Sequence, residues 1–275
     1  MSLLSINKKI VNITLILLTS YLTVHLLHLG FIYSCAYLID VPDLSFYFAY
    51  VDYNVEEYTG WSRLRVILLF GMPTAMMLFS ALVFWIIMSK FSFQDNSKIK
   101  LFLLWSIITC LSFVIADIIS APFDKHGVSV VADWFYVKKE VLFIFSLLFW
   151  AVIPIIGWFY SKTFMRIAYS RKQLLTKWTR VNFLAETILL PFLLVTVIFA
   201  ILLIIYPGYN VDYYLSIDFI RFLVIISIFL FVMGFNFHKR YVGIKRNREL
   251  EELNYSFVFV AIISFAVIYT TLFII

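Results

Sequence analysis

The amino-acid sequence predicts an all-α, polytopic integral membrane protein with about seven transmembrane helices. Hydrophobic residues make up 63% of the 275 positions and charged residues only 14%, and the mean hydropathy is +0.97. A water-soluble domain of this length needs a larger share of polar surface. Apolar stretches of about 20 residues recur along the chain, and that is the length an α-helix needs to cross a bilayer core of roughly 30 Å.

Seven such stretches can be counted, and no connection between them is long enough for a water-soluble domain. The first stretch follows Lys8 and Lys9 and is too long for the apolar core of a signal peptide. No small-residue cleavage site closes it, so we expect it to be retained as a helix. We therefore treat residues 1–275 as a single membrane domain. The predicted spans are 10–39, 64–89, 101–120, 141–161, 183–206, 214–237 and 255–275.

The distribution of Lys and Arg between the short loops predicts the orientation of the chain. If the N-terminus faces the cytoplasm, sixteen of these residues lie on the cytoplasmic side and five on the outer side, with Arg221 inside a span. A bias toward Phe, Ile, Lys and Asn is typical of AT-rich bacterial genomes. We therefore predict an N-inside, C-outside protein of the bacterial cytoplasmic (inner) membrane. The net charge of +6 then reflects basic loops that face anionic lipid, so the lipid bilayer is an expected partner and nucleic acid is not.

The loop at 161–182 is the most basic connection of the chain. Apolar residues recur in it at helical spacing between the cationic ones, which predicts an amphipathic helix lying in the membrane interface. A basic connector without further function and a surface that docks a lipid or partner both remain open. The predicted lipid-interface residues are Lys162, Arg166, Arg171, Lys172, Lys177 and Arg180.

The first outer loop, from Asp43 to Trp61, is aromatic and acidic. Its stretch "SFYFAYV" has a high propensity for β-structure. The composition favours a belt of aromatic side chains at the membrane interface. The alternative is a short hairpin near the bilayer, which requires that protein covers its backbone.

Six ionisable residues fall within the predicted spans. Such residues are costly at membrane depth unless they are paired or hydrated, and each is a candidate for function. Asp218 and Arg221 lie three residues apart on one helix, so they can pair with each other. Glu186 lies within reach of Arg180 or Lys177, and a local salt bridge would account for it. The other three are His25, His28 and Asp117.

His25 and His28 lie one helical turn apart in the segment "TVHLLHLG". Two imidazoles on one helix face can ligate zinc or iron if further ligands come from elsewhere. Asp117 lies at a similar depth on the third predicted span, and Asp124 and His126 follow it closely. The predicted metal ligands are His25, His28 and Asp124. The alternative is that the histidines hydrogen-bond to the neighbouring backbone or to Tyr hydroxyls.

This layout resembles that of intramembrane zinc metalloproteases of the site-2 protease family. Those enzymes carry HExxH on an early span, a loop with β character, a Gly-Pro-rich span, and a later helix that supplies an Asp ligand. The corresponding stretches here are "VHLLHLG", "LLFGMPTAMMLFSALVFWIIM" and "ADIISAPFDKHG", within residues 15–135. The resemblance implies ligand roles for His25, His28 and Asp124.

The chain departs from that family where the chemistry needs a glutamate. If His25 is the first His of the motif, Leu26 replaces the general base and Leu29 replaces the second ligand. If His28 is the second His, Val24 and His25 stand at the first ligand and the glutamate. Neither alignment keeps the base that activates a zinc-bound water, so proteolysis is not expected.

The sequence therefore favours a non-catalytic integral membrane protein that acts as a subunit, scaffold or binding module, with a pseudo-protease as one form of it. Other membrane proteins are then expected partners, and either no cofactor or zinc is expected. One alternative is a zinc-dependent intramembrane hydrolase. The other is a transporter or a redox membrane protein, although no repeat relates Pro73, Pro154 and Pro191, which fall in the spans.

Overall fold

A computed structural model gives the fold of most of the chain. It is almost entirely helical, and the helices are α1 (Leu3–Leu38), α2 (Arg63–Val66), α3 (Met72–Lys90), α4 (Ser97–Ser120), α5 (Val128–Trp134), α6 (Lys139–Met165), α7 (Lys177–Leu184), α8 (Leu190–Ile205) and α9 (Val211–His238). The residues that the structure describes are 3–46, 51–52, 54, 59–90, 97–123, 126–168, 171–205 and 211–238.

Six stretches within these residues are long and apolar enough to cross a bilayer, which confirms the predicted polytopic all-α membrane fold. They are Lys9–Leu38, Arg63–Lys90, Lys98–Ser120, Lys139–Met165, Lys177–Ile201 and Phe219–Asn236. Each overlaps one of the first six predicted spans. The seventh predicted span, 255–275, lies outside the described residues. The N-inside orientation stays a prediction.

Helix α4 is the centre of the bundle and packs against α1, α3, α6 and α9. In the apolar part of the Lys98–Ser120 span 78% of the residues are buried within the protein, against 22% for Lys139–Met165. Small residues line α4 and allow neighbouring helices to approach closely. The fully buried ones are Ser106, Cys110, Ser112 and Ala116. Helix α6 instead turns most of its surface outward, as expected of a helix that faces lipid.

Hydrogen bonds from side chains of the neighbouring helices α1 and α6 fix the position of α4. The hydroxyls of Ser20 on α1 and Ser106 on α4 lie 3.0 Å apart, and Ser146 on α6 donates to the carbonyl of Ile119 at 3.1 Å. Trp105 adds an edge-on contact with Phe229 of α9, with ring centroids 4.7 Å apart. Short-range polar contacts of this kind add specificity where lipid offers no hydrophobic driving force for association.

The loop between the first two spans contains a short antiparallel ladder, β1 (Ser45–Phe46) paired with β2 (Val51–Asp52). Phe46 packs edge-on against Tyr33 of α1, with ring centroids 5.7 Å apart. The hairpin that the sequence offered as the alternative is therefore present, and protein covers part of it. The aromatic belt, which the composition favoured, stays a prediction, because residues 47–50, 53 and 55–58 lie outside the described residues.

Two of the spans are interrupted by a π-helical turn. One turn, Ile67–Gly71, joins α2 to α3, and the other, Ala185–Leu189, joins α7 to α8. Each turn ends two residues before a proline, Pro73 and Pro191. Proline has no N–H to donate and clashes with the carbonyl of the preceding turn, so a widened turn just before it relieves the helix.

The basic loop at 161–182 is not one amphipathic helix. Helix α6 continues to Met165, a 3₁₀ turn covers Arg171–Leu174, and α7 starts at Lys177. The side chain of Thr176 accepts from the backbone N–H of Thr179 and so caps α7. The helical spacing in the sequence comes from three separate elements, and the cap shows where the last of them begins.

Candidate functional site

The two histidines lie on neighbouring faces of α1 against aromatic rings. His25 is 3% exposed and stands edge-on to Phe199 of α8, with ring centroids 5.3 Å apart. His28 is half-buried and lies tilted against Phe113 of α4 at 4.6 Å. Both imidazoles therefore fill space between helices through ring contacts. The predicted hydrogen bonds to the backbone or to Tyr hydroxyls stay a prediction.

Arg221 of α9 contacts the same aromatic ring as His28. Its guanidinium carbon lies 3.9 Å from the centroid of Phe113, which is a cation–π contact. Arg221 and His25 are both close enough to His28 to interact with it electrostatically. We call His25, His28, Phe113 and Arg221 the histidine–arginine cluster. The sequence had placed Arg221 with Asp218, whose side chain lies outside the described ones, so that pairing stays a prediction.

Further aromatic rings surround this cluster. Tyr21, one turn before His25, stands edge-on to Phe199 at 4.8 Å and stacks on Phe222 of α9 at 5.8 Å. Phe222 is the residue next to Arg221. The cluster is therefore a small group of polar nitrogen atoms with apolar walls from α1, α4, α8 and α9.

Sequence reasoning missed Phe113, whose ring contacts both His28 and Arg221. A signal was present, because Phe113 lies four residues before Asp117 and so shares its face of α4. The sequence placed Asp117 at a similar depth to the histidines. Phe113, one turn away on the same face, could therefore have been named as a neighbour of the histidines.

Asp117 is held by groups of α3 and of the start of α5. Thr74 of α3 donates to its Oδ2 atom, and the backbone N–H of Val128 donates to Oδ1 at 3.4 Å. Gly127, with φ +53°, brings the chain so close that a Cβ atom there would overlap the Asp117 carboxylate. The carboxylate thus joins α3, α4 and the start of α5.

The predicted metal site can be compared with the structure only in part, because Asp124 lies outside the described residues. No group of three or more His, Cys, Asp or Glu side chains there is placed to hold a metal ion. His126 is exposed. Asp124 lies outside the described residues, so the set of His25, His28 and Asp124 stays a prediction.

Glu186 has a different partner from the one predicted. Its Oε2 atom lies 3.2 Å from Nζ of Lys9, and the two side chains are 39% and 1% exposed. Lys9 also lies over the ring of Phe183, with Nζ 5.2 Å from the centroid. The expected salt bridge to Arg180 or Lys177 was therefore wrong, because α1 brings a cation from the other end of the sequence to this point.

The prediction that Arg180 lies at the lipid interface was also wrong, because Arg180 lies inside the protein. It is 3% exposed, its Nε donates to the carbonyl of Asn236 at 2.9 Å, and its Nη1 donates to the carbonyl of Leu174 at 3.0 Å. Asn236 in turn donates through Nδ2 to the carbonyls of Ser161 and Val232, at 3.0 Å and 2.8 Å. We call Ser161, Leu174, Arg180 and Asn236 the arginine–asparagine network.

Three other members of the predicted interface are exposed as expected, namely Lys162, Arg166 and Lys177. Two large apolar residues lie beside them at the surface, Leu175 at 70% and Trp178 at 72% exposure. This mixture suits the headgroup region of a bilayer. The side chains of Arg171 and Lys172 lie outside the described ones.

These features define the class of the protein as a multi-pass helical membrane protein with two buried polar groups in its bundle. Comparisons with protein families, with curated proteins and with solved structures find no match for the chain. The resemblance to the site-2 protease family therefore stays a hypothesis that rests on sequence motifs, and the function has to be argued from the residues of the bundle.

Proposed function

We propose that this protein is a non-catalytic binding module or subunit of the bacterial cytoplasmic membrane, a pseudo-protease that shares the layout of the site-2 family. The observation that carries the proposal is the position of Arg221. A fixed guanidinium shares the Phe113 ring with His28, where the catalytic family would hold a zinc ion.

A cation beside His28 opposes metal binding on electrostatic grounds. Like charges repel more strongly as they approach each other, and a divalent ion is repelled twice as strongly as a monovalent one at the same distance. Zinc sites in proteins use neutral imidazole and anionic ligands that offset the charge of the ion. Arg221 adds positive charge to the cluster instead.

The two groups that a hydrolase would need beside the metal are also missing or engaged. Leu26 follows His25, so no glutamate is present there to take a proton from water. The Asp117 carboxylate, at similar depth, accepts from Thr74 and from the N–H of Val128. These contacts favour a structural role for Asp117 over that of a base or ligand.

Metal analysis tests the proposal. The full chain, purified in a mild detergent without chelator, is compared with His25→Ala and His28→Ala by mass spectrometry of zinc and iron, with Glu186→Gln as a control outside the cluster. We expect a metal content well below one ion per chain that none of the variants changes. One zinc ion per chain that both histidine variants lose, and the control keeps, would overturn the proposal in favour of the hydrolase.

A transporter is the second candidate, and the two π-helical turns favour it. They lie at the same distance from Pro73 and Pro191, in the second and fifth of the described spans. If consecutive spans alternate in direction, these two cross the bilayer in opposite senses. Helices interrupted at corresponding positions of two inverted halves are typical of secondary transporters and lie near their substrate sites.

Labelling of Cys110 separates the two candidates. Cys110 is fully buried near the middle of α4, so water reaches it only if the bundle opens. In a Cys35→Ser chain in lipid nanodiscs, a binding module should leave Cys110 unreactive toward a water-soluble maleimide until the protein is denatured. Ser89→Cys, at the exposed end of α3, serves as the reactive control. Steady labelling of Cys110 in the native protein would favour the transporter.

A further inference from the structure

Helix α5 packs beside the beginning of the second described span, Arg63–Lys90. Val131 lies so close to Gly71 that a Cβ atom on the glycine would be 3.3 Å from the Cγ2 atom of the valine. At the other end of α5, the guanidinium carbon of Arg63 lies 5.7 Å from the ring centroid of Phe135. Helix α5 therefore runs alongside the first turns of this span, with its C-terminal end toward Arg63.

The length of the span indicates the level of α5 in the bilayer. A helix of 28 residues rises about 42 Å, which matches the roughly 40 to 45 Å of a bilayer with its headgroups. Arg63 then lies at the headgroups of one leaflet, and Gly71 lies about 12 Å further in. The start of α5 agrees with this level, because the N–H of Val128 donates to Asp117 close to the end of α4. Helix α5 thus occupies the headgroup region and the layer beneath it.

The end of α5 exposes three aromatic side chains at this level, those of Trp134, Phe135 and Tyr136. Tyr136 is 85% exposed, and its side chain makes no hydrogen bond or ring contact within the described part of the chain. Trp and Tyr favour the membrane interface, because each combines an apolar ring with a polar tip. We infer that α5 and the turn after it form a lipid-binding surface, whose aromatic side chains lie between the headgroups and the upper acyl chains of one leaflet.

The backbone at Tyr136 supports a role for its side chain outside the protein. Helix α5 ends in a Schellman motif, in which the N–H of Tyr136 donates to the carbonyl of Asp133 at 3.1 Å and the N–H of Val137 donates to the carbonyl of Ala132 at 2.9 Å. Tyr136 has φ +55°, a left-handed conformation in which glycine is favoured because a Cβ atom costs free energy there. The bilayer supplies the contact that offsets this cost.

The charges of the segment 128–140 cancel each other, so the rings dominate the contact. Lys138 and Lys139 are exposed just after the turn, and Asp133 and Glu140 are exposed in the same segment. Anionic lipid is attracted by an excess of cationic side chains, which this segment does not have. A zwitterionic phospholipid is therefore sufficient as the partner.

Spin labels measure the depth of this surface. Tyr136→Cys and, as a second position, Trp134→Cys are labelled in the full chain with Cys35→Ser and Cys110→Ala, in nanodiscs of phosphatidylcholine. Collision rates with oxygen, which is enriched among acyl chains, and with a water-soluble nickel chelate give the depth of each label. Leu148→Cys, exposed on the span of α6, is the matched reference for lipid, and the label free in buffer is the reference for water.

We expect both labels to lie roughly 5 to 10 Å into the boundary between headgroups and acyl chains, the depth that interfacial helices reach. Their ratio of oxygen to nickel collisions should then fall between the two references. A ratio equal to that of the free label would place the end of α5 in water and overturn the inference. Low collision rates with both reagents would show that protein covers the rings, such as a second copy of the chain, and would overturn it as well. If Tyr136→Cys does not fold, the label at Trp134 decides. The metal content that tests the proposed function does not depend on either result.

Discussion

Arg180 and Arg221 each place a guanidinium inside the helix bundle, yet their surroundings differ. Arg180 is almost fully buried, and its Nε and Nη1 atoms donate to backbone carbonyls of Asn236 and Leu174. Arg221 is half-buried and rests on the face of Phe113. The first arrangement uses the guanidinium to join segments of the chain, whereas the second keeps it partly accessible. The comparison teaches that a guanidinium inside the bundle can connect helices in two ways, by donating to backbone carbonyls or by stacking on a ring of a neighbouring helix.

The largest effect is expected from breaking the arginine–asparagine network. Arg180→Ala removes two charge-assisted hydrogen bonds and leaves the buried carbonyls of Leu174 and Asn236 without these donors. The free energy of unfolding should fall by about 3 kcal/mol. Unfolding of the full chain by SDS titration from mixed micelles measures this change.

Lys177→Ala is the matched control, because Lys177 is a cation of the same helix whose side chain is exposed. Its effect should stay within about 0.5 kcal/mol. If Arg180→Ala were no more destabilising than Lys177→Ala, the contrast between a structural and an accessible arginine would not hold.

The burial of Arg180 shows where sequence reasoning was incomplete. The positive-inside rule predicts that a cation in this loop lies on the protein surface, and Lys162, Arg166 and Lys177 are indeed exposed. The rule does not say which face of α7 points inward. Arg180 lies three and four residues before Phe183 and Leu184, so the three share a helix face. All three are buried.

The Lys9–Glu186 pair was unpredictable for a different reason. Sequence reasoning offers partners that are near in the chain, and Lys9 lies 177 positions from Glu186. Only the packing of α1 against α8 and the preceding π turn brings the two groups together. The spans, in contrast, were predictable because a stretch of about 20 apolar residues is a local property that the bilayer itself imposes.

The histidine–arginine cluster lies between these two cases. The spacing of His25 and His28 predicted a shared helical region, and the cost of ionisable groups at membrane depth identified Arg221 as notable. The sequence could not predict that His28 and Arg221 contact the same ring, because Phe113 belongs to a third helix. The resulting charge balance, more than the spacing, argues against a metal centre.

The smallest effect on stability is expected at this cluster. His28→Phe replaces an imidazole that packs against Phe113 with a ring of similar shape, and one contact between aromatic rings is retained. The free energy of unfolding should change by less than about 1 kcal/mol, because the substitution removes none of the described hydrogen bonds to a buried carbonyl. The same SDS titration measures the change.

Phe229→Ala shows that the titration detects a loss of packing in the bundle. Phe229 is 1% exposed and contacts Trp105 and Phe164, and removal of such a ring costs roughly 3 to 5 kcal/mol in a packed core. If His28→Phe were destabilised to that extent, the imidazole nitrogen atoms would be as necessary for folding as the carbonyl contacts of Arg180. The two polar groups would then both be structural. A near-neutral His28→Phe would show that the fold needs the shape of this side chain and not its nitrogen atoms.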